Sequence, residues 1–185
     1  MRPLASPVVE YRYMGISRLV GGVVLGLVAL ATEQPGAIFR WPFAAVLFAA
    51  WTYLSLRRRL ARIVDDPAAP PTSEREPAAR TRRRVALTEA AVLGLLALTA
   101  IALNAPALAG GISAGHGAAL LIASGWLRRW EQDHHRCVLR EPRWRWSAAS
   151  PRGWGRGRGV TDPQDFYVAP GPTPADSSGA RALPA

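Results

Sequence analysis

The stretch Val85–Leu127 reads VALTEAAVLGLLALTAIALNAPALAGGISAGHGAALLIASGWL. It holds two apolar segments, Val85–Leu103 and Leu108–Leu127, separated by a break that contains Asn104 and Pro106. Each segment has roughly the 20 residues that an α-helix needs to cross the hydrocarbon core of a bilayer. The stretch therefore predicts two transmembrane helices joined by a tight turn.

A similar pair of apolar segments precedes it. Tyr13–Thr32 and Ala37–Leu56 are each 20 residues long, and the turn dipeptide Pro35-Gly36 lies between them. The expected fold is therefore all-α: a polytopic membrane protein whose four transmembrane helices form two hairpins. An alternative for the first segment is a secretory signal peptide, because Ala29-Leu30-Ala31 resembles a cleavage site.

The remaining segments are polar. Residues 1–12 form a short N-terminal segment, and Arg57–Arg84 form an Arg/Pro-rich loop. We expect Arg128–Trp146 to be a basic amphipathic helix that continues the fourth span along the membrane surface. We expect Ser147–Ala185, which is rich in Gly, Pro, Arg and Ser, to be a disordered tail.

Arginine distribution predicts the orientation. The chain has a net charge of +10, and all 23 of its basic residues are arginine, a bias that fits GC-rich codon usage. Arg40, in the first turn of the second span, is the only arginine near the two turns that follow the first and third spans. The positive-inside rule then places both termini and the Arg57–Arg84 loop in the cytoplasm. The expected location is a bacterial inner membrane.

Two small-xxx-small patterns suggest where helices pack. They are Gly22-x-x-x-Gly26 in the first span and Gly111-x-x-x-Gly115 in the fourth. Glycine lets two helix backbones approach closely, either within one chain or between protomers. The alternative is that these glycines reflect composition only, since glycine is frequent in membrane helices.

Two ionisable residues fall inside the predicted spans. Glu89 lies in the third span and His116 in the fourth, and together they form a candidate intramembrane polar site. Glu89 can carry a proton or cation, or pair with Arg83 or Arg84. His116 can relay protons or ligate haem, or stay neutral and bond to Ser113, to a backbone carbonyl or to another helix.

The segment Trp130–Trp146, WEQDHHRCVLREPRWRW, contains the weak metal-ligand candidates His134, His135 and Cys137. On a helix, Glu131 and His135 lie four residues apart, as do Asp133 and Cys137, but the two pairs face different directions. Too few ligands converge for a zinc or copper site. We therefore expect no cofactor.

The same region predicts contact with anionic phospholipid headgroups. The residues expected to make it are Arg128, Arg129, Arg140, Arg143, Trp144, Arg145 and Trp146. Nucleic acid is a less favoured partner, because the Arg/Trp-rich part of this region, from Arg140, begins only 13 residues after Leu127 at the end of the fourth span. Further along, Phe166-Tyr167 resembles a short linear motif that folds on a partner.

The sequence contains no catalytic triad order, P-loop or nucleotide fingerprint. It therefore predicts a non-enzymatic integral membrane protein, a scaffold or accessory subunit that binds the bilayer and either oligomerises or joins another membrane protein. One alternative is a small oligomeric transporter or channel that uses Glu89 and His116. Another is a haem- or metal-linked membrane protein.

Overall fold

The computed structural model describes residues 4–32, 36–65, 77–140 and 166–170. These residues form, in chain order, α1 (Pro7–Ala31), α2 (Ala37–Asp65), α3 (Ala78–Ala102), α4 (Pro106–His134), β1 (Arg136–Arg140) and β2 (Phe166–Pro170). Each helix is long and apolar enough to cross a membrane. The described chain is mostly helical, and its four long apolar helices suggest a multi-pass membrane protein.

The helix boundaries follow from local chemistry. Pro7 and Pro106 stand in the first turns of α1 and α4, where a missing N–H leaves no helical bond unmade. Asn104 takes the left-handed conformation, with φ of 50°, and so ends α3 and turns the chain into α4. Helices α2 and α3 continue beyond the predicted spans, so they take up both ends of the expected Arg57–Arg84 loop.

Helix α4 is the central element. It packs most extensively against α1 and α2, while α3 packs mainly on α1. The neighbours therefore follow the order α3–α1–α4–α2. Small residues cover the two contacting faces of α4, so both neighbours can approach its backbone closely.

This order differs from the two hairpins expected from the sequence. Helices α1 and α2 contact each other little, and so do α3 and α4, although each pair is consecutive in the chain. The main contact between α1 and α2 is made by Trp41, whose Nε1 donates a hydrogen bond to the Gly22 carbonyl at 3.0 Å. Glycine and alanine seams, rather than connection length, decide which helices pack together.

The outward faces of the helices are apolar. On α2, Phe39 is 77% exposed and Trp51 is 72% exposed, and on α3 Leu95 and Ile101 are similarly uncovered. Water would disfavour such continuous apolar surfaces, whereas lipid tails would not. The exposure pattern therefore fits helices that face lipid on one side and each other on the other.

The helix expected over 128–146 differs from the structure after His134. His135 adopts a left-handed conformation with φ of 50°, and the Glu131 carboxylate accepts the Val138 N–H at 2.8 Å, which fixes the turn into β1. Turning back lets Val138 become fully buried, which a helix continuing past the end of α4 would not allow.

The strand pair also departs from the all-α fold that the sequence predicts. Strand β2 pairs antiparallel with β1, so Phe166–Pro170 is ordered within the tail expected to be disordered. The rest of that tail lies outside the described residues. The two strands lie at the end where α1 and α3 begin and α2 and α4 end, which we call the basic end because of its arginines.

Candidate functional site

At the basic end, Glu10 connects three elements. It lies in the first turn of α1 and is 5% exposed. Its carboxylate accepts a hydrogen bond from Arg84 Nη2 of α3 at 2.5 Å and lies 3.7 Å from Arg140 Nη1 of β1. A buried carboxylate needs such partners, because burial of an unpaired charge is strongly unfavourable.

Deeper in the helices, Arg18 of α1 and Glu89 of α3 form a two-point ion pair. Arg18 Nε and Nη2 donate to the two carboxylate oxygens at 2.7 and 3.0 Å. The Glu89 side chain is 2% exposed and that of Arg18 is 22% exposed. Arg18 therefore lies against Glu89, and Arg84, an expected partner of Glu89, pairs with Glu10 instead.

Polar groups continue from this pair across the other two helices. Ser113 of α4 donates its hydroxyl to the Arg18 carbonyl at 3.0 Å. His116 Nδ1 lies 3.4 Å from Thr52 Oγ1 of α2. We call Arg18, Glu89, Ser113, His116 and Thr52 the polar layer. It takes one or more residues from each of the four helices.

Within the polar layer, the two predicted site residues have separate partners among the described residues. Glu89 is held by α1 through Arg18, and His116 is held by α2 through Thr52. For His116 the structure shows the bond to another helix that the sequence left as one of several options. Ser113, another of those options, bonds to the Arg18 carbonyl instead.

The glycines of the two small-xxx-small patterns lie at contacts within one chain. A Cβ added to Gly22 would meet the backbone of Gly110 and Ala114, and one added to Gly115 would meet Ala45. Gly26 and Gly111 both lie against Trp41 of α2. The seam between α1 and α4 also uses glycines that the sequence reading missed, namely Gly15, Gly110 and Gly117.

The weak metal candidates do not converge. Cys137 belongs to β1, so the helical spacing that would pair it with Asp133 does not exist. The His134 ring stacks on Trp130 with 4.6 Å between centroids, and the Glu131 carboxylate, expected to pair with His135, holds the Val138 N–H. Among the described residues no three His, Cys, Asp or Glu side chains form a group that could hold a metal ion.

The predicted headgroup contacts separate into three sets. Arg128 and Arg129 are exposed on α4, whereas Arg140, also expected to contact lipid, is buried beside Glu10. The last four, Arg143, Trp144, Arg145 and Trp146, lie outside the described residues. Exposed arginines on all four helices surround the basic end, and we call five of them the arginine collar: Arg12, Arg57, Arg83, Arg128 and Arg129.

Strands β1 and β2 cover part of the basic end. Phe166 of β2 is 2% exposed and packs in a cluster with Tyr11, Leu60, Leu127 and Val138. From the sequence, Phe166-Tyr167 was predicted to be a short linear motif that binds another protein. In the structure its partner is the chain itself. The apolar spacing of Phe166 and Val168 was the available signal for a half-buried strand.

Comparison of the chain with protein families, with curated proteins and with solved structures found no match.

Proposed function

We propose that the protein is a non-enzymatic membrane scaffold or accessory subunit. Its basic end would face the cytoplasm and hold anionic phospholipid headgroups of the inner membrane. The observation that carries the proposal is the arginine collar, which lies on all four helices next to their exposed apolar faces. Arginines at the boundary between an apolar belt and water attract anionic lipid by roughly 1 kcal/mol each.

The pairing of the charges inside the helices also supports a scaffold. Arg18 and Glu89 neutralise each other, and Glu10 is neutralised by Arg84 and Arg140. Such pairs bind α1, α3 and β1 together. A framework whose buried carboxylates are paired with arginines, and whose other arginines are exposed at the basic end, is suited to holding lipid or a neighbouring membrane protein.

The lipid part of the proposal predicts a graded loss of lipid selectivity. Replacing Arg57, Arg83, Arg128 and Arg129 by glutamine should lower the preference for anionic over zwitterionic lipid several-fold, because roughly 1 kcal/mol at each arginine favours an anionic headgroup at that position by a factor of about five. Tryptophan quenching by brominated phosphatidylglycerol, compared with brominated phosphatidylcholine in mixed vesicles, measures that preference.

The matched control is Arg40→Gln, since Arg40 is exposed at the opposite end of the helices. It should leave the selectivity unchanged. The same preference in the wild-type protein and the four-site variant would show that the arginine collar does not bind headgroups. High salt should weaken the wild-type preference, as expected for exposed charges.

A second candidate is a small transporter or channel, and the polar layer favours it because it crosses all four helices. Proteoliposomes loaded with a pH-sensitive dye test this candidate. Wild-type protein would then conduct protons, and a variant with both Arg18→Gln and Glu89→Gln would not. The double variant removes the ionisable pair without leaving one charge unpaired. Equal leak from both proteins and from empty vesicles supports the scaffold.

A further inference from the structure

Strand β1 is paired on both of its edges. On one side it pairs with β2 in the register Arg136↔Pro170 to Arg140↔Phe166. On the other side Arg140 exchanges two backbone hydrogen bonds of 2.8 Å with Ala5. Strand β1 is continuous with α4 through a tight turn, and Ala5 lies directly before α1. Strand β2 is the outer strand, separated from β1 by the 25 residues 141–165.

Side-chain recognition of β2 is concentrated at one position. Phe166 is enclosed by Tyr11, Leu60, Leu127 and Val138, whereas the next three residues of β2 are half-buried and Pro170 is exposed. Backbone pairing to an edge strand gives affinity that is largely independent of sequence, and a pocket for one side chain adds selectivity. The groove beside β1 has both features.

Arg140 lies at the same end of the groove. Its guanidinium lies over the Phe166 ring, with 5.5 Å from Cζ to the centroid, and also faces Glu10. Within the described part of the chain, the buried Nε of Arg140 has no hydrogen-bond partner. An unsatisfied buried donor disfavours the closed state, and water would satisfy it if β2 left. Strand β2 is therefore stabilised by the Phe166 pocket and by pairing with β1, whereas the unsatisfied Nε of Arg140 destabilises its bound position.

We infer that this end of the protein is a binding groove for an extended peptide, which its own tail occupies. The partner that it fits is a strand with an aromatic residue opposite Arg140 and an apolar residue opposite Val138. This goes beyond the proposed scaffold role, because it assigns a protein-binding site that works independently of lipid.

A free peptide has to compete with β2 for the groove, and this competition determines its apparent affinity. A segment on the same chain competes at an effective concentration on the order of millimolar. A free peptide with the same contacts therefore displaces β2 of the wild-type protein only near that concentration. Weakening β2 by Phe166→Ala removes the residue that fills the pocket, and the groove should then bind the free peptide about 100-fold more readily.

The strand register allows β2 to be fixed on β1 by an engineered disulfide, because Ala169 is directly opposite Cys137, the only cysteine of the chain. Opposed residues of an antiparallel pair are close enough for a disulfide. The full-length double variant Phe166→Ala/Ala169→Cys, in nanodiscs, can thus be compared in two states. In the reduced state β2 is weakly bound and can leave β1, and in the oxidised state the disulfide fixes β2 on β1. The probe is a fluorescent peptide of residues 164–172, QDFYVAPGP.

Fluorescence anisotropy should show that the reduced variant binds this peptide and that the oxidised variant does not. A peptide with alanine at the position of Phe166 should lose about 100-fold or more in affinity for the reduced variant. No binding to the reduced variant, or equal binding to both forms, would overturn the inference. So would failure of Ala169→Cys alone to form the disulfide, since the strand pairing would then be absent.

Discussion

Replacing Glu89 by glutamine should destabilise the protein by about 3 kcal/mol, because it removes one partner of a buried ion pair and leaves the other charged. Arg18 would keep its charge inside the helices with no carboxylate beside it. The contact also joins α1 to α3, which has few other neighbours. Unfolding in mixed micelles of increasing SDS content, followed by circular dichroism, measures the loss.

The double variant Arg18→Gln/Glu89→Gln distinguishes pairing from mere side-chain loss. Two glutamines can bond to each other and carry no charge, so its stability should return to within about 1 kcal/mol of wild type. Thr88→Ala is the local control, since Thr88 is exposed on the same helix and its hydroxyl donates to the Arg84 carbonyl within that helix. Additive losses for Arg18 and Glu89 would contradict the pair.

A leucine at Gly22 or Gly115 should destabilise the packed helices by about 3 kcal/mol or more. A Cβ at either position already meets backbone atoms of α4 or α2, and backbone cannot move aside as a flexible side chain can. The measurement is the fraction of protein that remains folded and monodisperse by size exclusion after heating in mild detergent.

Gly94→Leu is the matched control for this substitution. Gly94 is also a glycine within a membrane-length helix, but an added Cβ there meets nothing within 4 Å. It should stay within about 1 kcal/mol of the wild-type stability. If Gly94→Leu were as harmful as Gly22→Leu, general loss of glycine and not the seam would be responsible.

The sequence predicted the four apolar helices well because membrane spans are a matter of composition and length. Each predicted span matches one helix of the structure, and only Thr32 and Leu103 fall one residue beyond the ends of α1 and α3. Their packing order was not predictable in the same way. Small-xxx-small patterns indicate that a backbone can be approached, but not by which helix. The repeated seven-residue spacing of Gly15–Gly22 and Gly110–Gly117 was the available signal for the α1–α4 seam.

The ion pair between Arg18 and Glu89 was likewise predictable only in part. That Glu89 needs a partner follows from its place in an apolar segment, yet the nearest arginines in sequence were the wrong ones. Arg18 lies 71 residues away. Arg18 and Glu89 each follow the first residue of their helix, Pro7 and Ala78, by the same 11 positions, so they reach the same depth in parallel helices. That relation is visible only when the helix starts are known.

The strands were missed because tertiary contacts override local preference. Arg136–Arg140 continues a helical pattern and contains nothing that forbids helix. Burial of Val138 and pairing with Phe166–Pro170 decide its conformation. The partner strand lies beyond a Gly/Pro/Arg-rich segment, so no pattern in one window of sequence contains both halves.

The proposed function requires that the helices cross a membrane with the basic end in the cytoplasm, and cysteine labelling tests both points. In a Cys137→Ser background, Thr32→Cys places a thiol at the exposed end of α1, and Gln132→Cys places one on the exposed surface of α4 at the basic end. In spheroplasts, a membrane-impermeant maleimide should label Thr32→Cys at once and Gln132→Cys only after permeabilisation. Immediate labelling of Gln132→Cys, or release of the protein by carbonate washing, would contradict the account.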